Sequence, residues 1–250
     1  MLAIIRKNTI REQLQIHKSV RITDLATLLN VTKETIRRDL REMEQDGELI
    51  RTHGGAYILD GVQNDIDITT RQVLKTAEKE IIAQKMDTLI HSGDSIFLDG
   101  STTSWVIAKS IAHRHLTVLT PSLEIAKILS ASDSIKLHVI GGEFSPATMS
   151  FTGNAALRNL EQYYVDKAII SCRSVSIEFG ITDTNDYDAA LHKLVLTHAR
   201  QKYLVIDHSK LDNTSFSHVA PIAALDGIIM DREFSASWQE HLTKHNVKIY

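Results

Sequence analysis

Lys33, Arg37, Arg38 and Arg41 place four cationic side chains within about two and a half turns of a helix-like run. The apolar residues Ile36, Leu40 and Met43 recur there at i, i+4 and i+7 and turn toward a core. Arginines on the opposite face have the geometry to pair with guanine edges in a major groove, while lysine and threonine hold phosphates. The same pattern also describes a solvated charged face on a small helical subdomain, the commoner meaning of a charge run. The acids Glu34, Asp39, Glu42 and Glu44 lie mostly toward its sides or far end.

A second group is Asp99-Gly100-Ser101-Thr102-Thr103, which follows a strand-like run and opens a helix-like one. Amides and hydroxyls there can converge on an anion at a helix N-terminus. Gly141-Gly142 ends another strand and leaves room for a ligand against the backbone. Asp99, Ser122, Gly141 and Asp207 all fall at carboxyl ends of strand-like runs, where open parallel sheets bind ligands. Lys210 stands ready to neutralise a phosphate. A turn followed by an N-cap would use Gly-Ser-Thr-Thr equally well.

The elements that must position these groups fall into two parts. Ile10 to His17 has the spacing of an amphipathic helix, and Thr23 is placed to cap a second one with the apolar stripe Leu25, Ala26, Leu28 and Leu29. Asn30-Val31-Thr32 makes a short turn, and Thr32 caps the basic helix, which Gly47 ends. This outline is a helix-turn-helix. Leu49 to Arg51 and Ala56 to Ile58 flank His53-Gly54-Gly55 as a hairpin, a wing that brings Arg51 and His53 near the DNA backbone or minor groove.

Beyond a linker at residues 60–72, strand-like runs at Ser95 to Asp99, Leu116 to Thr120, Lys136 to Ile140, Lys167 to Ser171, Tyr203 to Asp207 and Gly227 to Met230 alternate with helix-like runs. The expected fold is therefore α/β: residues 1–59 a winged helix-turn-helix, and residues 73–250 a larger domain with a mainly parallel sheet covered by helices on both faces.

Composition narrows the class. A chain of 250 residues with 43% hydrophobic and 24% charged residues can bury a real core, which excludes disorder and collagen-like structure. No apolar run is long enough to span a membrane, and Met1 to Lys18 is too charged for a signal peptide, so a cytoplasmic location is expected. The single cysteine, Cys172, allows no internal disulfide and reads as a small apolar residue at a strand end. The 12 histidines are scattered along the chain, so a metal site is not expected, and no cofactor is expected either. Residues 1–59 carry a formal charge of +2, with ten Lys and Arg against eight Asp and Glu, and the remainder carries −5.

Val20-Arg21-Ile22-Thr23-Asp24-Leu25-Ala26, the run Val31-Thr32-Lys33-Glu34-Thr35-Ile36-Arg37-Arg38-Asp39-Leu40 and Arg51-Thr52-His53-Gly54-Gly55-Ala56 closely resemble the winged helix-turn-helix of the DeoR family of bacterial transcriptional regulators. Residues 35 to 40 are the most specific part. Glu78-Lys79, Ile96 to Asp99, Thr102-Thr103, Gly141-Gly142, Val165 to Ala168, Gly180-Ile181-Thr182 and Asp207 to Lys210 resemble landmarks of that family's sensor domain, which is similar in fold to sugar-phosphate isomerases and binds phosphorylated sugars or related metabolites.

The resemblance implies DNA contacts from Thr32, Lys33, Glu34, Thr35, Arg37, Arg38, Arg41, Arg51 and His53. It implies effector contacts from Asp99, Gly100, Ser101, Thr102, Thr103, Ser122, Gly141, Gly142, Arg173, Asp207 and Lys210. Departures occur at Ser171 to Ser174, where Arg173 replaces an acid and is expected to read an additional anionic group, and at Asp188-Ala189-Ala190-Leu191-His192, where the family frequently ends on lysine. The implied protein is a homo-oligomeric repressor of a carbohydrate-utilisation operon, bound to double-stranded operator DNA and controlled by a phosphorylated sugar. The alternative is an isomerase or hydrolase with an accessory head, drawing on Asp99, Asp207, Lys193 and Lys210.

Overall fold

A computed structural model describes residues 2–17, 19–46, 48–52, 54–58 and 68–250, and divides the chain into two compact units, Met1–Leu74 and Lys75–Tyr250. The first contains α1 (Ala3–His17), β1 (Ser19–Arg21), α2 (Ile22–Leu28), α3 (Lys33–Gln45), β2 (Ile50–Arg51), β3 (Gly55–Tyr57) and α4 (Ile68–Val73). Ile10, Leu14, Leu25, Leu29, Ile36, Leu40 and Met43 form one buried cluster, so the helical periodicity selects the inward face correctly. Each such side chain contributes about 1.5–3 kcal/mol on burial.

The tertiary structure changes several boundaries. α1 begins at Ala3 rather than near Ile10, and Arg6 in its first half is buried. Thr23 does not cap α2: the helix starts at Ile22 directly from β1, and the Ile22 amide donates to the Gly54 carbonyl at 2.8 Å, a partner supplied by the hairpin instead of a side chain. Leu28 is 57% exposed and leaves the expected stripe. Asn30 adopts φ 50°, and the Thr32 hydroxyl accepts from the Thr35 amide at 3.3 Å, so the turn and cap form as their residue types require. β1 joins the hairpin to give the order β1-β3-β2. Part of the expected linker is the helix α4, in which Ile68 is buried. Gly47 and residues 59–67 lie outside the described residues.

The second unit runs α5 (Thr76–Asp87), β4 (Ser95–Leu98), α6 (Thr102–Ile111), β5 (Leu116–Thr120), α7 (Leu123–Leu129), β6 (Ile135–Val139), β7 (Glu143–Ser145), β8 (Ser150–Thr152), α8 (Gly153–Leu160), β9 (Val165–Ile170), β10 (Ser174–Ser176), β11 (Gly180–Asp183), α9 (Asp186–Thr197), β12 (Ala199–Ile206), β13 (Ser217–Ala220), β14 (Gly227–Met230), α10 (Ala236–Lys244) and β15 (Lys248–Ile249). Its main sheet is parallel throughout, in the order β15-β14-β12-β9-β4-β5-β6. Phe97, Ala168, Ile170, Leu204 and Ile206 join Leu160, Val195 and Trp238 in one core, while the alternate residues Ile96, Leu98, Ile169 and Val205 are buried on the opposite face. α5 packs along β12 and β14, with α6 beside it.

The chain moves outward from β4 to β5 and β6, then returns to the other side of β4 with β9, β12, β14 and β15. The switch in direction therefore lies between β4 and β9, the place where an open parallel sheet leaves a crevice beyond its carboxyl ends. Two smaller antiparallel assemblies, β10-β11-β13 and the hairpin β7-β8, were not evident as strands in the sequence.

Candidate functional sites

The exposed face of α3 carries Lys33, Glu34, Arg37, Arg38 and Arg41, while Ile36, Asp39, Leu40 and Met43 are buried beneath it. Thr32 is exposed and Thr35 half-buried, with their hydroxyls 2.9 Å apart. Arg37 pairs with Glu34 at 3.1 Å, and Arg51 approaches Glu44 at 3.5 Å, with its amide also donating to that carboxylate at 2.9 Å. Among the described residues, Lys33, Arg38 and Arg41 have no ion-pair partner. A helix with three uncommitted cations on a face free of bulky apolar groups can enter a polyanionic groove without first breaking its own contacts. His53 lies outside the described residues.

In the second unit, the ends of β6, β5, β4, β9 and β12 bring Gly141, Ser122, Asp99, Arg173 and Asp207 to one edge of the sheet. Asp99 is 2% exposed and its carboxylate is occupied. Oδ1 accepts from the Ser101 amide at 3.0 Å, the Ser101 hydroxyl at 2.6 Å and the Ser104 hydroxyl at 2.5 Å; Oδ2 accepts from the Ser171 amide at 2.6 Å. Nε2 of His192 lies 3.3 Å from Oδ2. Burial alone would raise the Asp99 pKa, but the hydrogen bond and charge of His192, with the hydrogen bonds of Ser101 and Ser104, hold it down at about 2. Asp99 thus braces the loop from within, and Ser101 caps α6 by accepting from the Ser104 amide at 3.1 Å.

Other expected ligand groups have structural duties. Ser122 is fully buried: its hydroxyl caps α7 through the Ile125 amide at 3.3 Å and accepts from the Trp105 indole at 3.2 Å. Thr102 and Thr103 are buried in the first turn of α6. Gly141 faces open space, whereas a side chain at Gly142 would meet the Thr152 carbonyl at 2.5 Å, so Gly142 serves the packing of the hairpin. Asp207 receives the Ser209 amide at 3.0 Å; burial opposes its ionisation, but Lys210, Ser209 and Lys75 keep its pKa below the ordinary value. Burial pushes the Cys172 thiol pKa up, and that thiol feels the charges of Asp183, Lys210, Asp99 and Asp207 around it. Arg173 is half-buried.

Two participants were missed. In the sequence His192 stands out only as a departure from the family pattern, yet α9 buries Ala189, His192, Val195 and Leu196, and that i, i+3, i+6, i+7 spacing is a legible inward stripe. Lys193, proposed for catalysis, is exposed. The start of β8 reaches the Asp99 loop through Ser150, whose hydroxyl stands where a Gly100 side chain would be. No periodic signal marks a contact of that kind. Among the described residues, no group of three or more His, Cys, Asp and Glu side chains could hold a metal ion.

Residues 6–62 match the DeoR-like helix-turn-helix domain and residues 74–232 the DeoR C terminal sensor domain. An uncharacterized HTH-type transcriptional regulator of Bacillus subtilis (strain 168), YulB, is 34% identical over 249 residues, covering 100% of this chain and 96% of that one. The HTH-type transcriptional repressor GlcR of the same organism is 32% identical, covering 93% and 90%. The lactose phosphotransferase system repressor of Staphylococcus aureus (strain NCTC 8325 / PS 47) is 33% identical, covering 86% of each. Among solved structures, a D-ribose-5-phosphate isomerase in complex with phospho-erythronic acid aligns with 53% of this chain and 52% of its own, at 15% identity and a TM-score of 0.40.

Proposed function

This chain belongs to the DeoR family of transcriptional regulators, and we propose that it represses a carbohydrate-utilisation operon until a phosphorylated sugar or related anionic metabolite occupies its second unit. The observation that carries the reading is the exposed α3 face, where Lys33, Arg38 and Arg41 stand uncommitted above a fully packed helix. Thr32, Lys33 and Thr35 anchor phosphates at the helix start, Arg37, Arg38 and Arg41 reach base edges, and Arg51 and His53 follow the backbone from the wing. A module this small makes few base contacts, so the working species is a homo-oligomer on spaced half-sites. A regulator of this kind works where its operator DNA is, in the cytoplasm.

The effector's charged group is received at the start of α6 and by Lys210, with Arg173 reading any second anion. Binding one arrangement of the paired heads more tightly releases the operator. Catalysis is disfavoured because Asp99, held near a pKa of 2 and fully hydrogen-bonded, is a poor general base near neutral pH. The test is capture of genomic fragments by the full-length protein, with and without a panel of phosphorylated sugars. Enrichment of discrete sites that is lost with one sugar phosphate is expected; equal retention of random competitor overturns the proposal. Turnover of pentose or hexose phosphates would favour the enzyme instead.

A further inference from the structure

Buried polar atoms normally find a hydrogen-bond partner, because leaving one unpaired forfeits its hydration with nothing in return. Thr148 Oγ1 and His192 Nδ1 are both buried and lack any such partner among the described residues. Thr148 and His192 are each 7% exposed and lie on different elements, the β7–β8 loop and α9. They nevertheless border the same short segment. His192 turns Nε2 to Asp99, and the Thr148 carbonyl lies 3.7 Å from the position a Gly100 side chain would take, with the Ser150 hydroxyl donating to that carbonyl at 3.1 Å.

Building on the effector reading above, we infer that Thr148 Oγ1 and His192 Nδ1 are the groups that read the sugar's hydroxyls, while the start of α6 takes its charged end. With Nε2 donating to Asp99, the free His192 nitrogen accepts a hydrogen bond when the ring is neutral and donates one when it is charged. The Thr148 hydroxyl can do either. A sugar hydroxyl is also both donor and acceptor, so a polyhydroxylated anion satisfies both atoms in every protonation state while its charged end stays at the start of α6; an inorganic phosphate held there has no further hydroxyl to offer them. These residues therefore set specificity for the sugar over the ion. Neither atom is open to water, so contact with a ligand requires the turn carrying Met149 to shift from its place beside Gly100.

Calorimetric titration of the full-length protein tests this with pentose and hexose phosphates, the same sugars unphosphorylated, and inorganic phosphate. The wild type is expected to prefer one sugar phosphate over inorganic phosphate, and Thr148→Val and His192→Gln are each expected to cut that preference about tenfold. Thr148→Ser, which keeps the hydroxyl, retains it. If His192→Gln fails to fold, the Val and Ser pair at position 148 decides. Undiminished preference in the variants, or equal loss for sugar phosphate and inorganic phosphate, overturns the inference while leaving the effector reading intact. A wild type that binds no member of the panel overturns both.

Discussion

Arg6 of α1 clasps Asp39 of α3 with two hydrogen bonds, Nε to Oδ2 at 2.7 Å and Nη2 to Oδ1 at 2.9 Å, inside the first unit's core. The side chains are 7% and 1% exposed, so the pair is desolvated on both sides. Asp39 follows Arg37 and Arg38 directly, which means one residue of rotation on α3 separates the outward cations from the carboxylate that fixes the helix against α1.

Asp39→Ala is expected to destabilise the first unit by about 3–5 kcal/mol, because a buried guanidinium is left without its carboxylate. Replacing both partners with apolar residues of similar volume should recover most of that loss. Urea unfolding of the single and double variants checks the cycle. Equal destabilisation in both would show that the charge pairing is not the source.

On α3, Arg38→Ala and Arg41→Ala are each expected to weaken operator binding by about 1–3 kcal/mol, the range for a lost base contact. Arg37→Ala should cost less than Arg38→Ala, since Arg37 must first give up its exposed pair with Glu34, worth about 0–1 kcal/mol. Lys33→Ala should instead reduce the salt dependence of binding by about one unit with little change in sequence preference. Gel-shift titrations at several salt concentrations separate these outcomes, with melting temperatures unchanged throughout.

The adjacent glycines of the hairpin should behave differently. An added methyl at Gly55 would overlap the Val20 carbonyl and push β1 off β3, whereas at Gly54 nothing lies within 4 Å. Gly55→Ala should therefore lower the melting temperature of the first unit and Gly54→Ala should leave it nearly unchanged. Similar melting curves for the two would count against β1 as the third strand of the wing.

Stability of the second unit should depend on pH through His192. Burial lowers an imidazole pKa, but the hydrogen bond and charge of Asp99, with Asp183 and Asp188 nearby, raise that of His192 above its ordinary value. A raised folded-state pKa gives a contribution that is complete below the unfolded value of about 6.5 and is lost as pH climbs through the folded one. Asp99 has the opposite sign: its contribution is present above about pH 3.9 and disappears as pH falls toward 2. Melting temperatures of the wild type relative to His192→Gln should therefore decline above pH 6.5. A constant difference across that range would remove His192 as the titrating group.

Local chemistry was legible in the residues themselves. Thr32 as a cap, Asn30 in a left-handed turn, the inward Ile36-Leu40-Met43 stripe and all six strands read from residue 95 onward follow from short-range sterics and from the repeats of helix and strand, which need no knowledge of the rest of the chain. Contacts between distant segments were not. Asp39 reads as a flanking acid until α1 brings Arg6 to it; β1 and β10 are three residues long and acquire strand geometry only from their partners; the packing duties of Ser122 and Gly142 show only where Trp105 and Thr152 meet them. Periodicity states which way a side chain faces, but only the folded arrangement supplies what it meets there, and for Asp99 and His192 that meeting sets their charge.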